Sequence, residues 1–175
     1  MKPDQKGTAT LQLLPIGIIR SPFKLAEGTP IQTTYGSGIE GDVIVDEAFE
    51  AALMDIEGFE RLWLIYWLDR AGPFQECVLP YRDTREHGLF AARSPCPPNP
   101  IGMSVVRLLG RQRGMLRVAD LDILDGTPLL DIKPYVPIFD AYVQSAAGWV
   151  DEHRIDRQIA DGRFHPGHGS EDESE

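Results

Sequence analysis

The sequence predicts a mainly β domain, and three observations support this. Several short runs rich in β-branched and aromatic residues are separated by glycine, proline and acidic turn residues. No alternation of strands with long helices occurs, which argues against a parallel sheet. The 175 residues, of which 42% are hydrophobic and 25% charged, suit one globular domain with its own core.

The first half of the chain contains three predicted strands. Residues 11–20 form an apolar, isoleucine-rich run that ends at a Ser-Pro pair, which is typical of a buried strand. Residues 42–46 and the aromatic run 62–68 are the next two strands, and we expect the latter to lie at the centre of the core. Residues 31–35 are expected to be extended, whereas residues 47–56 have the apolar spacing of a short helix.

The second half begins with a polar loop, residues 71–88, and a short predicted strand at 89–92. Four prolines in residues 94–100 exclude a helix and a central strand, so this segment is expected to be a rigid loop. Further strands are predicted at 103–109, 115–118 and 129–132, with an edge piece at 135–139. We expect a frayed N-terminus over 1–10, the β domain over 11–148, and a short helix within 149–160 that precedes an acidic disordered tail ending at 175.

The charge is unevenly distributed. The chain has a formal net charge of −10, and many of its acidic residues lie in the last 25 residues. Residues 82–117, by contrast, are rich in arginine, which suits the recognition of phosphate or carboxylate groups. Two interpretations remain open, a basic patch that faces a partner and a solvated face whose charges are paired within the protein.

Several classes of protein and site are disfavoured. No apolar run approaches the ~20 residues of a membrane span, and the N-terminus lacks the apolar region of a secretory signal, so we expect a cytoplasmic protein without membrane contact. Gly36 to Gly41 match the dinucleotide pattern G-x-G-x-x-G, but a predicted strand follows, so a glycine-rich hairpin connection is favoured. His165 and His168 lack a rigid third ligand, and we expect no metal site.

Two segments carry polar groups on constrained backbone. The proline-rich loop holds Arg93 and the only asparagine of the chain, Asn99. The segment 121–128 places Asp122 and Asp125 around two aliphatic residues before a turn. Rigid loops at strand ends commonly present binding groups, although a structural crossing and a simple turn would explain the same residues.

These segments together resemble the TrmO (YaeB/TsaA-like) family over about residues 13–140. The resemblance rests on Ile-Gly-Ile-Ile-Arg-Ser-Pro-Phe at 16–23, Arg-Ser-Pro-Cys-Pro-Pro-Asn-Pro-Ile-Gly at 93–102, and Leu-Asp-Ile-Leu-Asp-Gly-Thr-Pro with Asp-Ile-Lys-Pro-Tyr in 121–135. It implies a small, single-sheeted β-barrel with a few short helices, a methyltransferase outside the Rossmann class. The family methylates threonylcarbamoyladenosine beside the anticodon of transfer RNA, uses S-adenosylmethionine and is usually a homodimer. The implied partner is therefore tRNA, with no role for DNA.

The resemblance also implies site residues, although it names no catalytic residue. The expected cofactor-binding residues are Pro30, Ile31, Gln32, Asp69, Arg70, Arg93, Met103, Asp122, Ile123, Leu124 and Asp125. The expected substrate-binding residues are Arg93, Ser94, Asn99, Pro100, Lys133 and Tyr135. Arg93 is expected to pair with a carboxylate of the cofactor or of the threonyl group, and Asp122 with the ribose.

Two departures from the family pattern keep other functions open. Asp69-Arg70 stands where the family has a histidine-led pair, and Cys96-Pro97 replaces a pair that contains arginine. A methyltransferase of the same fold with a small molecule or another RNA as acceptor is one alternative. A non-enzymatic module that binds an adenosine ligand or RNA is the other, and a metal hydrolase is a more distant one.

Overall fold

The computed structural model describes residues 11–152, 156–161 and 163–164. Within them, six antiparallel strands close into one barrel in the order β1-β2-β7-β6-β3-β8. The barrel strands are β1 Gly17–Arg20, β2 Glu40–Val45, β3 Arg61–Trp67, β6 Ile101–Gln112, β7 Met115–Ala119 and β8 Thr127–Pro134. This closed barrel with few short helices confirms the predicted fold class.

The interior of the barrel follows the two-residue period of its strands. In β3, Leu62, Leu64 and Tyr66 are buried, whereas the residues between them are turned outward. They pack with Ile19, Val43, Leu116, Val118 and Leu129, all fully buried, and with other members of one core cluster. The aromatic strand therefore lies at the centre of the core, as its composition predicts.

A smaller unit lies beside the barrel. β4 Cys77–Val78 and β5 His87–Gly88 form a two-stranded antiparallel sheet. Val78, Leu89, Cys96 and Phe164 form a second buried cluster. Because Phe164 belongs to this cluster, the C-terminal segment packs against the loop that carries residues 89–97.

The C-terminal segment is helical over only part of the range 149–160 in which a helix is predicted. Helix α2 spans only Trp149–Glu152. Residues 156–161 run extended, and Ile159 forms an antiparallel bridge with Pro30. Two backbone bonds flank this bridge, from Ile31 N to Gln158 O at 2.9 Å and from Ala160 N to Thr29 O at 2.8 Å. Pairing with residues 29–31 thus replaces helical bonding in this stretch.

Four shorter segments also differ from their predicted conformation. Residues 33–35 and Leu89–Ala91 form 3₁₀ turns rather than extended pieces, and the N–H of Ala92 bonds Leu89 O at 3.0 Å. Residues 135–139 do not form an edge, because Pro137 opens a one-turn helix α1, Pro137–Asp140. The strand predicted at 11–20 begins only at Gly17, after Pro15. The glycine-rich residues 36–41 lie in the connection between the paired antiparallel strands β1 and β2 and extend into β2, which agrees with the predicted hairpin connection.

Two further 3₁₀ segments lie between β2 and β3. Glu47–Leu53 is a 3₁₀ helix where a short helix is predicted, and Ile56–Gly58 forms a further turn. In the described part of the chain, no helix has the length and apolar character that a membrane span requires. The predicted frayed N-terminus, the acidic end of the tail and the pair His165 and His168 lie outside the described residues.

Candidate functional site

A cavity of about 390 Å³ opens at the end of the barrel where β3 finishes and β6 begins. Its walls come from four parts of the chain: the segment 29–32, the ends of β3 and β6, the loop 89–97, and the loop 122–124 after β7. Ala160 of the C-terminal segment completes one side. The volume falls within the ~300–1,000 Å³ typical of small-molecule sites.

A chain of hydrogen bonds connects the barrel interior to this cavity. Ser104 Oγ donates to Asp122 Oδ1 at 2.7 Å, and it lies 3.0 Å from the hydroxyl of Tyr66. Tyr66 and Ser104 are buried, and all three residues line the cavity. This chain of hydrogen bonds fixes the position of one carboxylate oxygen of Asp122.

The surroundings of Asp122 disfavour its ionised form. Burial raises the pKa of Asp122 to about 6, although the hydrogen bond from Ser104 and the positive charge of Arg93 act in the opposite direction. Burial likewise raises the pKa of Tyr66, and the charge of Asp122 adds to this shift. Asp122 is therefore a carboxylate that gains from a ligand able to donate hydrogen bonds to it, which is a common property of functional sites.

Two arginines supply positive charge to the cavity wall. Arg93 Nη1 donates to the neutral Gln32 Oε1 at 2.8 Å. Arg70 Nη2 donates to Thr127 Oγ1 at 2.9 Å, and its Nε lies 3.4 Å from Asp69 Oδ1 without hydrogen-bond geometry. Among the described residues, this Nε is the buried side-chain atom that lacks a hydrogen-bond partner. Both guanidinium groups therefore retain donors for an anionic ligand.

Three other arginines of the 82–117 stretch lie in ion pairs within the protein. Arg107 Nε lies 3.6 Å from Asp120 Oδ2, and Arg117 pairs with Glu40 at 2.9 Å and with Asp42 at 3.2 Å. Arg111 pairs with Glu57 at 3.6 Å. For Arg107, Arg111 and Arg117 the interpretation of internally paired charges is the correct one.

The cavity brings together most of the residues expected to bind the cofactor. Ten of the eleven line it, namely Pro30, Ile31, Gln32, Asp69, Arg70, Arg93, Met103, Asp122, Ile123 and Leu124. Asp125 does not, because its carboxylate accepts hydrogen bonds from Lys24 Nζ at 2.6 Å and from the N–H of Ser21 at 3.1 Å. Its own N–H donates to Phe23 O at 2.7 Å, so Asp125 fastens the loop to β1.

The expected substrate-binding residues are more dispersed. Arg93 and Ser94 line the cavity, whereas Asn99, Pro100, Lys133 and Tyr135 do not. The carbonyl of Pro100 accepts from Leu68 N at 2.7 Å, Lys133 pairs with Asp131 at 2.5 Å, and the ring of Tyr135 lies 5.9 Å from that of Trp63. A role of these four residues in binding an acceptor stays a prediction.

Thr127, which belongs to the motif at 121–128, lines the cavity as well, whereas sequence reasoning gave no site role to Tyr66, Ser104 or Phe90, which also line it. Ser104 carried a usable signal, because it is a polar residue at an inward position of an apolar strand. Within the described residues, no group of three or more histidine, cysteine, aspartate or glutamate side chains is arranged to hold a metal ion.

Comparison with known proteins places this architecture in a family. The sequence model of the tRNA-methyltransferase O N-terminal domain matches residues 18–141. A probable S-adenosyl-L-methionine-binding protein of Pyrococcus abyssi is 50% identical over 152 residues, which cover 86% of this chain and 83% of that protein. The tRNA (adenine(37)-N6)-methyltransferase of Escherichia coli is 32% identical over 81% of this chain and 64% of its own length.

The solved structures agree with the sequence comparisons. The crystal structure of TrmO from Pseudomonas aeruginosa superimposes with a TM-score of 0.71 at 35% identity, covering 83% of this chain. The match spans 63% of that TrmO chain, so this chain corresponds to somewhat less than two thirds of it. The match to the domain model covers most of the barrel, and the resemblance stated from the motifs is confirmed. The chain belongs to the TrmO family, whose defining unit is the tRNA-methyltransferase O N-terminal domain.

Proposed function

We propose that this protein binds S-adenosylmethionine in the barrel-end cavity and transfers its methyl group to an adenosine of tRNA. The specific acceptor we propose is threonylcarbamoyladenosine beside the anticodon. One observation carries the proposal: three segments far apart in sequence, 30–32, 93–94 and 122–124, converge on one cavity. Relatives in the same family are named as S-adenosylmethionine-binding proteins and as tRNA methyltransferases, which supports it.

The groups in the cavity fit the polar parts of this cofactor. Arg93 and Arg70, whose buried Nε makes no hydrogen bond, would bind the carboxylate of its methionine part. Asp122 would accept hydrogen bonds from the ribose hydroxyls. Within the described residues, the backbone N–H groups of Ile123 and Leu124 donate no hydrogen bond, so both are available to nitrogen acceptors of adenine.

The chain contributes orientation to the reaction. The bound cofactor supplies an activated methyl group on a sulfonium. As the new carbon–nitrogen bond forms on the acceptor, the carbon–sulfur bond breaks, and the acceptor nitrogen loses a proton. Ser104 fixes Asp122, Gln32 fixes Arg93, and Thr127 fixes Arg70, so each binding group is held before the ligand arrives. Such preorganisation reduces the ordering that the transition state would otherwise require.

The proposal extends to the oligomeric state and the cellular location. The segment after β8 exposes Ile138 at 85%, Phe139 at 70% and Val143 at 94% of their surfaces, an apolar stretch that a second copy of the chain would cover. We therefore propose a homodimer that acts on tRNA in the cytoplasm. Sedimentation of the purified protein would give twice the chain mass of 19.5 kDa.

Methyl transfer onto defined tRNA species tests the function. The protein is incubated with methyl-labelled S-adenosylmethionine and either a tRNA that carries threonylcarbamoyladenosine or the same sequence transcribed without modification. Digestion to nucleosides and mass spectrometry then locate the label. We expect methylation of the modified tRNA alone. Label in the unmodified transcript would identify a different acceptor, and cofactor binding without transfer to any RNA would favour a binding module.

A further inference from the structure

We propose that Phe90 is the stacking platform for an unpaired nucleobase of the RNA acceptor at the mouth of the cavity. This inference rests on the proposed function and adds a substrate-positioning residue to it. Phe90 lines the cavity and is 87% exposed, although the preceding residue, Leu89, is 4% exposed. The turn therefore directs one apolar side chain into the core and the next one outward at the rim.

The turn that carries Phe90 is held from several sides. Leu89 is anchored in the second buried cluster, and its N–H donates to Glu76 O at 3.0 Å. Trp149 Nε1 donates to the carbonyl of Ala91 at 2.8 Å, and the Trp149 ring stacks on His87 with centroids 4.4 Å apart. The backbone on both sides of Phe90 is therefore anchored, and its exposed ring is presented at the rim of the cavity.

The chemistry around Phe90 favours a nucleobase. Met103 and Ile101, which also line the cavity, are 62% and 45% exposed and extend the apolar rim. Arg93 follows Phe90 by three residues and lines the same cavity with a guanidinium that is bonded to a neutral amide. Proteins bind unpaired RNA bases by stacking them on aromatic side chains, because every base has a π-face. Arg93, which is assigned to the cofactor, adds positive charge near this rim.

The position of the ring agrees with the chemistry of the proposed reaction. A methyl acceptor must enter the cavity as an unstacked base, since the reacting nitrogen is otherwise enclosed in the RNA stack. A ring at the rim replaces the stacking that the base loses on entering. Phe90 would thus lower the free energy of the RNA-bound state while it leaves the cofactor groups, Asp122 and Arg70, untouched.

RNA binding by the full-length protein tests this inference without any need for turnover. Fluorescence anisotropy with a labelled anticodon stem-loop measures the Kd of wild type, Phe90→Ala, Phe90→Trp and Phe59→Ala. Phe59 is a matched exposed phenylalanine next to the start of β3, at the opposite end of the strand from the cavity. We expect Phe90→Ala to raise the Kd by about 5- to 150-fold, the range for one stacked base. Phe90→Trp should restore binding, and Phe59→Ala should leave it unchanged.

Three results would overturn the inference: an unchanged Kd for Phe90→Ala, a loss of S-adenosylmethionine affinity in calorimetry of that variant, or a change in its oligomeric state in sedimentation. The assay separates this inference from the proposed function. RNA binding that depends on Phe90 in a protein that methylates no RNA would overturn only the proposed function. Normal methylation by Phe90→Ala at wild-type KM for tRNA would overturn only the role of Phe90.

Discussion

Asp120 and Asp122 lie two residues apart after β7, but their surroundings shift their pKa values in opposite directions. Burial alone would raise the pKa of Asp120, but the N–H of Gly38 at 2.9 Å, Arg61 at 3.2 Å and Arg107 at 3.6 Å outweigh it and lower the pKa. For Asp122, burial dominates and raises the pKa to about 6. The carboxylate of Asp120 is compensated by partners within the fold, whereas the partners of Asp122 do not offset the cost of its burial.

The same contrast separates the arginines of the two regions. Arg61, Arg107 and Arg117 are bonded to carboxylates, which offset their charge. Arg93 is bonded to the neutral Gln32. Arg70 lies 3.4 Å from the Asp69 carboxylate, but its buried Nε makes no hydrogen bond. The paired region stabilises the barrel, and the cavity region retains polar groups that, under the proposed function, find their partners in the cofactor. Four substitutions test this division, from the largest expected effect to the smallest.

Asp122→Asn is expected to stabilise the protein at pH 8. Because the pKa of Asp122 is raised from 3.8 to about 6, holding its ionised form in the fold costs free energy above pH 6, and this cost disappears as the pH falls below 3.8. The shift corresponds to about 2–3 kcal/mol. Urea unfolding should show that gain for the variant at pH 8 and no difference at pH 3.5. A variant less stable than wild type at pH 8 would contradict the role given to Asp122.

Arg93→Ala is expected to weaken S-adenosylmethionine binding by 10-fold or more. The loss of charge-assisted hydrogen bonds to a carboxylate corresponds to about 1.5–3 kcal/mol. Arg117→Ala is the matched control, because Arg117 lies on β7 in exposed ion pairs with Glu40 and Asp42. Equilibrium dialysis with labelled cofactor measures both variants. Equal affinities of the two folded variants would remove Arg93 from the site.

Asp120→Asn should have the opposite sign to Asp122→Asn and destabilise the protein at pH 7. Asparagine tolerates the left-handed backbone at this position, where φ is 68°, so the variant removes charge without backbone strain. The expected loss is about 1–2 kcal/mol, because the arginine partners are partly exposed and screened. The pKa of Asp120 is lowered in the fold, so its contribution is present at neutral pH and is lost in acid. An increase in stability at pH 7 would erase the contrast between the two carboxylates.

Ser104→Ala should move the pH dependence of cofactor binding. The hydrogen bond from Ser104 favours ionised Asp122, so its loss raises the pKa of that carboxyl further. The midpoint of binding against pH should rise by up to about one unit, which is about 1.4 kcal/mol. Calorimetric titrations between pH 5 and 8 measure this shift. A midpoint that stays fixed or falls would show that Asp122 does not contact the ligand.

The local pattern was sufficient for most of the barrel. Residues 62–68 alternate inward and outward within an apolar run, and such a run predicts a central strand whatever its partners are. Residues 89–92 and 135–139 were predicted wrongly as strand pieces. Their apolar composition allows a strand, but Pro137 at a helix start and the local bond from Ala92 to Leu89 determine their actual conformation.

The candidate site depends on contacts between residues far apart in the sequence, which local sequence patterns do not reveal. The family resemblance led to residues 30–32, 93–94 and 122–124, which all line the cavity, but they form less than half of its lining. The hydrogen bond between Ser104 and Asp122 joins residues from two different elements, and only the closed barrel brings them to 2.7 Å. Asp125 entered the expected site with Asp122 through the family resemblance, but its pairing with Lys24 is a long-range contact that the motif does not reveal.

The claim that the cavity binds S-adenosylmethionine is tested most directly by calorimetric titration of the purified wild-type protein, without RNA. The titration is carried out with S-adenosylmethionine and with S-adenosylhomocysteine at pH 7.5, where Asp122 is ionised. Saturable binding of both ligands, with one site per chain, is the predicted result. If a folded sample bound neither ligand, the account would be contradicted, because the charged groups of the cavity would then not recognise this cofactor.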